Sequence, residues 1–147
     1  MTDTAYDTDF YTWTQAQAAL LRQGRAEQLD WENLAEEIES LGNRDKRELK
    51  SRLEVLIMHL LKWWRQPEHQ SRSWQGTIRE QRDQLADLLE DSPSLRRRVP
   101  DYLKRAYPRA RRKALDETGL YDPAFPPDCP WTVEQVLDPD FFPEPPP

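Results

Sequence analysis

The chain has 147 residues, of which 37% are hydrophobic and 33% charged, with a net charge of -6; a mean hydropathy of -0.97 excludes a membrane span. Six Trp, five Tyr and four Phe exclude the opposite extreme, because a disordered chain of this charge lacks such large apolar groups. One cysteine, Cys129, excludes an internal disulfide and a cysteine-built metal cage, and the opening Met1-Thr2-Asp3-Thr4 lacks the basic flank and apolar run of a signal peptide, so a cytoplasmic setting is expected.

Hydrophobic periodicity predicts helix nearly everywhere before residue 119, and no segment alternates polar and apolar residues long enough for a strand. The expected fold class is therefore all-α: one domain over 1–147 with four helices, a long central helix and a proline/aromatic C-terminal strap. The core is expected over about 9–119, the strap over 120–142 and a mobile proline tail over 143–147.

The first helix is predicted over Phe10 to Gln23, with Asp9 as N-cap and Gly24 as its stop. Asp30 caps a second helix whose stripe is Trp31, Leu34, Ala35, Ile38 and Leu41. Gly42 interrupts the stripe, yet Leu49, Leu53, Leu56, Leu60 and Trp63 continue it in phase at about 3.6 residues per turn. An unrelated helix has no reason to keep phase, so one helix is expected from Trp31 to Gln66, ending before Pro67. It tolerates about 1 kcal/mol for its internal glycine; a break at Gly42 is the alternative.

Ser73 is the expected N-cap of a third helix carrying Trp74, Ile78, Leu85, Leu88 and Leu89. Ser92-Pro93 restarts the chain, since proline at the first helical position lacks a donor that would go unused. The fourth helix runs through Leu95, Val99, Leu103, Ala106, Ala110 and Ala114 to Thr118, with Pro100 and Pro108 expected to kink or split it and Gly119 to close it. Nine of the thirteen prolines then lie between Pro123 and Pro147. Phe125, Trp131, Val133, Val136, Leu137, Phe141 and Phe142 are too many large apolar groups to leave in water, which makes this segment a strap over the helices. Thr132 and Gln135 resemble a capping box and predict a short helix through Leu137.

Charge is distributed in blocks. Arg96, Arg97, Arg98, Lys104, Arg105, Arg109, Arg111, Arg112 and Lys113 face the single acid Asp101, a net of +8, whereas Asp116 to Pro147 holds eight acids and no Lys or Arg. Residues 1–44 carry a further net -6. The basic patch suits a nucleic-acid backbone; pairing with the adjacent acidic tail is the competing explanation.

Catalytic patterns are scarce. His59 and His69 have no glutamate three residues earlier, as a di-iron helical bundle needs, and no His-Glu-x-x-His zinc signature occurs. No phosphate-binding loop, dinucleotide fingerprint or nucleophile elbow occurs, so neither a nucleotide nor another cofactor is expected, and no metal. Cys129 reads as a buried inert thiol, and Glu36, Glu37 and Glu39 as a solvated helix face. Arg79 and Arg82 are candidates to pair with Glu36 or Glu37 across a bundle. His59, Arg82, Lys62 and Glu37 form the candidate polar site, although one straight helix sets Glu37 and His59 about 33 Å apart. Trp63, Trp74 and Trp131 are the candidate aromatic anchors.

These residues resemble a known family. Tyr6-Asp7, Asp9-Phe10-Tyr11, Trp13, Leu29-Asp30, Asn33-Leu34-Ala35-Glu36-Glu37-Ile38-Glu39 and Leu41-Gly42 carry the first part of the resemblance. It continues through His59-Leu60-Leu61-Lys62-Trp63, Gln66-Pro67, Ser73-Trp74, Thr77-Ile78, Arg82 and Ser92-Pro93-Ser94-Leu95. Tyr107, Glu117-Thr118-Gly119-Leu120 and Cys129-Pro130-Trp131 complete it. Together they resemble the bacterial domain-of-unknown-function family number twenty-nine over nearly the whole chain. The resemblance implies a small, mostly helical bacterial protein of one domain and supplies no activity, substrate or catalytic residue.

The leading functional expectation is a non-enzymatic protein-interaction or adaptor module with a protein partner or self-association, since tryptophan-rich helices and complementary charge blocks suit recognition. One alternative is a nucleic-acid-associated regulatory protein acting through 96–113. The other is an enzyme using the polar cluster around His59. No membrane partner is expected.

Overall fold

The computed structural model of the chain describes residues 5–147; the opening Met1-Thr2-Asp3-Thr4, read above for a leader, lies outside them. The fold is all-α, with six α-helices and no strand among the described residues: α1 (Ala5–Thr8), α2 (Phe10–Gln23), α3 (Trp31–Arg65), α4 (Arg72–Asp91), α5 (Val99–Thr118) and α6 (Val133–Leu137). No described helix is long and apolar enough to cross a membrane. Two compact units emerge, Met1–Arg44 and Asp45–Pro147, and the long helix α3 runs unbroken through their boundary.

The first unit is small. Asp9 caps α2 by accepting from the Thr12 backbone N–H at 3.1 Å, and Gly24 ends it in the left-handed region at φ 68°, where a side chain would be strained. Trp13 and Gln17 are its buried α2 residues. Trp13 packs against Tyr6 and Phe10, with ring centroids 4.8 and 5.6 Å away. Its indole N–H donates to Asp30 Oδ2 at 3.0 Å, and the Asp30 backbone N–H donates to Gln17 Oε1 at 2.9 Å. Asp30 also accepts from the Asn33 side chain at 2.8 Å, so one carboxylate starts α3 and ties it to α2.

Gly42 does not break α3. Leu49, Leu53, Leu56, Ile57, Leu60 and Leu61 of its second half build the core of the larger unit with Ile78 and Leu85 of α4, and with Val99, Leu103, Ala106 and Ala110 of α5. In its first half the same stripe is largely exposed: Trp31 retains 63% of its surface, Ile38 66% and Leu41 56%, while Leu34 is half-buried.

The third and fourth helices depart from expectation locally. Ser71, not Ser73, caps α4, accepting from the Trp74 N–H at 3.1 Å; both serines satisfy the same local rule, and the chain enters the helix at the first. Ser92-Pro93 opens a 3-10 segment, Pro93–Arg98, rather than an α-helix. Pro100 has no N–H for an upstream carbonyl, so α5 begins at Val99 with that proline in its first turn, where no donor is lost. Pro108 lies inside α5 on its exposed side without splitting it, and Gly119 closes the helix at φ 70°.

Beyond Gly119 the chain straps the larger unit. Phe125 and Val136 are fully buried and join the core. Thr132 and Gln135 form the capping box of α6, with the Thr132 N–H donating to Gln135 Oε1 and the Gln135 N–H to Thr132 Oγ1. Tyr107 Oη donates to the Pro126 carbonyl at 2.6 Å, Phe142 lies 5.0 Å from the Trp63 ring, and Pro143 is buried.

Candidate functional site

The candidate polar residues each have a separate partner. His59, half-buried on α3, directs Nδ1 at the Val55 carbonyl, 3.0 Å away, which assigns the ring proton to Nδ1. Burial holds its pKa below the ordinary histidine range, and the Lys62 cation adds to that effect. Lys62 is only 7% exposed; its Nζ donates to Glu117 Oε1 at 2.8 Å and sits 4.7 Å from the Trp74 ring centroid. Three helices thus meet at one ammonium group.

Arg82, at 3% exposure, faces the strap. Its Nε donates to the Val136 carbonyl at 2.9 Å and Nη2 to the Gln135 carbonyl at 3.3 Å, both at the C-terminal end of α6, where the helix dipole favours a cation. The guanidinium lies 5.5 Å from the Phe142 ring, and Nη1 has no hydrogen-bond partner among the described residues. Burial lowers its pKa to about 10, opposed by Asp138 and Asp140, so it remains charged at neutral pH. Glu37 accepts from Tyr6 Oη at 2.6 Å within the first unit, and this bond pushes the Tyr6 hydroxyl up to about 12. Among the described residues of the larger unit no hydrogen bond or ion pair joins any two of His59, Lys62 and Arg82.

The basic patch divides by partner. Arg111 is absorbed by the strap: it contacts the Asp122 carboxylate and donates to the carbonyls of Asp122 at 2.7 Å and Phe125 at 2.9 Å. The carboxylate raises the Arg111 pKa and is itself held below the usual range by the guanidinium. Lys113 pairs with Glu54 at 2.8 Å and Arg105 with Asp101 at 3.4 Å. Arg96, Arg97, Arg98, Lys104, Arg109 and Arg112 are exposed and form no ion pair among the described residues. The acidic tail therefore meets the basic block in one ion pair, Arg111 with Asp122.

Two of the three aromatic anchors hold the strap. Trp63 packs on Phe142, and Trp131 meets Trp64 at 5.5 Å and Phe141 at 6.2 Å; Trp74 instead covers the Lys62 ammonium. Trp64 and Phe142 act as anchors too, which periodicity does not reveal because it marks an apolar side without saying which distant segment will cover it. Beside Trp131, a cavity of about 530 Å³ lies between α5 and the strap, lined among others by Leu103, Lys104, Tyr107, Cys129 and Val133. Burial pushes the Cys129 thiol up, which keeps it protonated and a poor nucleophile.

The first unit presents the other notable surface. Phe10, Tyr11 and Leu21 of α2 are exposed together with Trp31, Ile38 and Leu41 of α3. From Ala26 to Asn43 the chain carries Glu27, Asp30, Glu32, Glu36, Glu37 and Glu39 and no Lys or Arg. Sequence periodicity marked this α3 stripe as core; the all-acidic flank was the available sign that it belongs to a surface.

A family model described as Domain of unknown function DUF29 matches residues 5–142, and the chain belongs to that family. No curated protein and no solved structure matches it.

Proposed function

We propose that this member of the DUF29 family is a non-enzymatic protein-interaction module, an adaptor that works through protein contacts. The observation that carries the reading is the exposed apolar surface of the first unit, where Trp31, Ile38 and Leu41 stay more than half exposed on an otherwise well-formed helix. Contiguous apolar surface of this kind marks interaction sites on soluble proteins. Lys62 and Arg82 of the candidate polar site are meanwhile engaged in holding helices and strap together. A photo-crosslinking phenylalanine derivative placed at Ile38, and separately at exposed Arg72, tests the reading in the cells of origin. Discrete protein adducts are expected from position 38 and not from position 72; their absence at 38 rejects the proposal.

A second reading rests on a different observation, the six cations of the basic segment 96–113 that are exposed and form no ion pair among the described residues. Such a surface contacts phosphates, with affinity falling steeply as salt rises. Fluorescence anisotropy with labelled duplex and single-stranded oligonucleotides at low salt checks it. Binding lost in R109E/R112E supports a nucleic-acid role, and no binding by the wild-type chain removes it.

A further inference from the structure

The exposed stripe of α3 has a spacing, a flank and a continuation that together specify what fits on it. Trp31, Leu34, Ile38 and Leu41 follow intervals of three, four and three residues, the pattern by which one helix receives another. They span about 15 Å of helix, close to three turns. Farther along the same helix the stripe passes in phase into Leu49, Leu53 and Leu56, which are fully buried against helices of this chain. The seam that takes helices in the second half of α3 is thus presented open in the first half.

The flank fixes the charge of the occupant. Glu32 and Glu39 are exposed on the Ala35 and Gly42 side of the seam, Glu36 lies on the far side of the helix, and no cation lies between Arg25 and Arg44 to balance them. Two copies of this chain joined by the same face would bring these carboxylates against each other, and like charges at an interface disfavour the pairing. A helix with apolar residues at the same spacing and Lys or Arg on its borders meets the seam with buried apolar area and the rim with opposite charge. The exposed Ala35 and Gly42 offer little bulk against its approach.

We propose that the first half of α3 is a docking seam for a basic amphipathic helix of a partner protein, engaged through Trp31, Ile38 and Leu41 and steered by Glu32 and Glu39. This inference rests on the protein-interaction reading above and adds the surface, the secondary structure and the charge of the partner.

The test uses the full-length protein and capped synthetic peptides of about three heptads, with Leu and Ile at the seam positions and Lys on the borders. A second peptide carries Glu in place of Lys, and a third scrambles the basic sequence so that it has no apolar face. Titration calorimetry is expected to show binding of the basic amphipathic peptide alone. The variant I38S/L41S should lose at least about tenfold in affinity, and E32Q/E39Q several-fold, with the wild-type interaction weakening as salt rises. Both variants alter exposed side chains, and circular dichroism checks that their helix content is unchanged. Equal binding of the scrambled or acidic peptide, no binding of the basic one, or no change in a folded I38S/L41S overturns the proposal. Sedimentation distinguishes this failure from that of the broader reading. A wild-type dimer that I38S/L41S converts to monomer leaves the interaction module standing with a second copy as occupant, whereas no peptide binding, no dimer and no adduct at position 38 reject both.

Discussion

Lys62 Nζ and Glu117 Oε1 meet at 2.8 Å although fifty-five positions separate them in the chain. The pair is asymmetric, with side-chain exposures of 9% for the lysine and 49% for the glutamate. Removing the acid leaves a cation that water reaches poorly; removing the cation leaves a carboxylate that water already solvates. Glu117→Gln should therefore destabilise the larger unit by about 1–2 kcal/mol, less than a fully buried pair because the carboxylate is half in water. Asp101→Asn, which breaks the exposed pair with Arg105, should change stability by less than about 0.5 kcal/mol. Thermal unfolding of the two variants checks the ranking, and equal losses would show that the buried lysine does not depend on Glu117.

His59 gives that unit a pH dependence of defined sign. Its pKa is lowered in the folded state by burial, while in the unfolded chain it returns to about 6.5. Between the folded value and about 6.5 the unfolded state binds more protons, so stability rises with pH across that window and is lost as the solution is acidified. Urea unfolding at pH 7.5 and at successive lower values should show this loss, and His59→Gln should remove the imidazole's share of it. A larger acid-induced loss in the variant than in the wild type would contradict the neutral, Nδ1-protonated assignment.

Arg82 should govern the strap more than the global stability. Arg82→Met discards the bonds to Gln135 and Val136 but also removes a buried cation whose Nη1 has no hydrogen-bond partner among the described residues, and the two effects oppose each other. The expected result is at least tenfold faster hydrogen exchange over Val133–Leu137, with the melting temperature moving by only a few degrees. Cys129, whose thiol burial keeps protonated, should alkylate faster in the same variant than in the wild type because its segment opens more often. Unchanged exchange at α6 would show that core residues such as Val136 hold the strap without the guanidinium.

Much of this architecture was written in local signals. Asp9 and Gly24 bound α2, Thr132 and Gln135 start α6, and Gly119 ends α5, because caps and left-handed glycines depend on residues within one turn. The continuity of α3 through Gly42 was legible from phase. What sequence left open was the identity of distant partners. Arg82 could face any of several helices, and only the strap's return places the end of α6 on it. Trp31, Ile38 and Leu41 share the spacing of Leu49 and Leu53, and periodicity cannot distinguish a covered stripe from an open one. Pro100 illustrates a smaller limit, since a proline near a helix start either kinks the helix or marks its beginning, and here it marks the beginning.

The first unit should also be the less stable of the two. Its buried side chains, Trp13 and Gln17, are few beside the twenty core residues of the larger unit, and the Asp30 and Tyr6 hydrogen bonds and the Tyr6, Phe10 and Trp13 ring contacts add to them. Truncating the indole should be decisive, because it removes both the packing against Tyr6 and Phe10 and the N–H donor to Asp30. Trp13→Ala is expected to cost about 3–5 kcal/mol locally, enough to unfold α1 and α2 while the larger unit, whose core lies wholly within 45–147, keeps its own melting transition. Hydrogen exchange read separately over 10–23 and 49–61 checks this. Loss of protection confined to the first range is the expected outcome, and simultaneous loss in both would show that the units fold as one. The basic amphipathic peptide supplies a converse check: wild-type protein should gain protection over 10–41 on binding it, since a partner on the α3 seam stabilises the folded form of this unit by mass action.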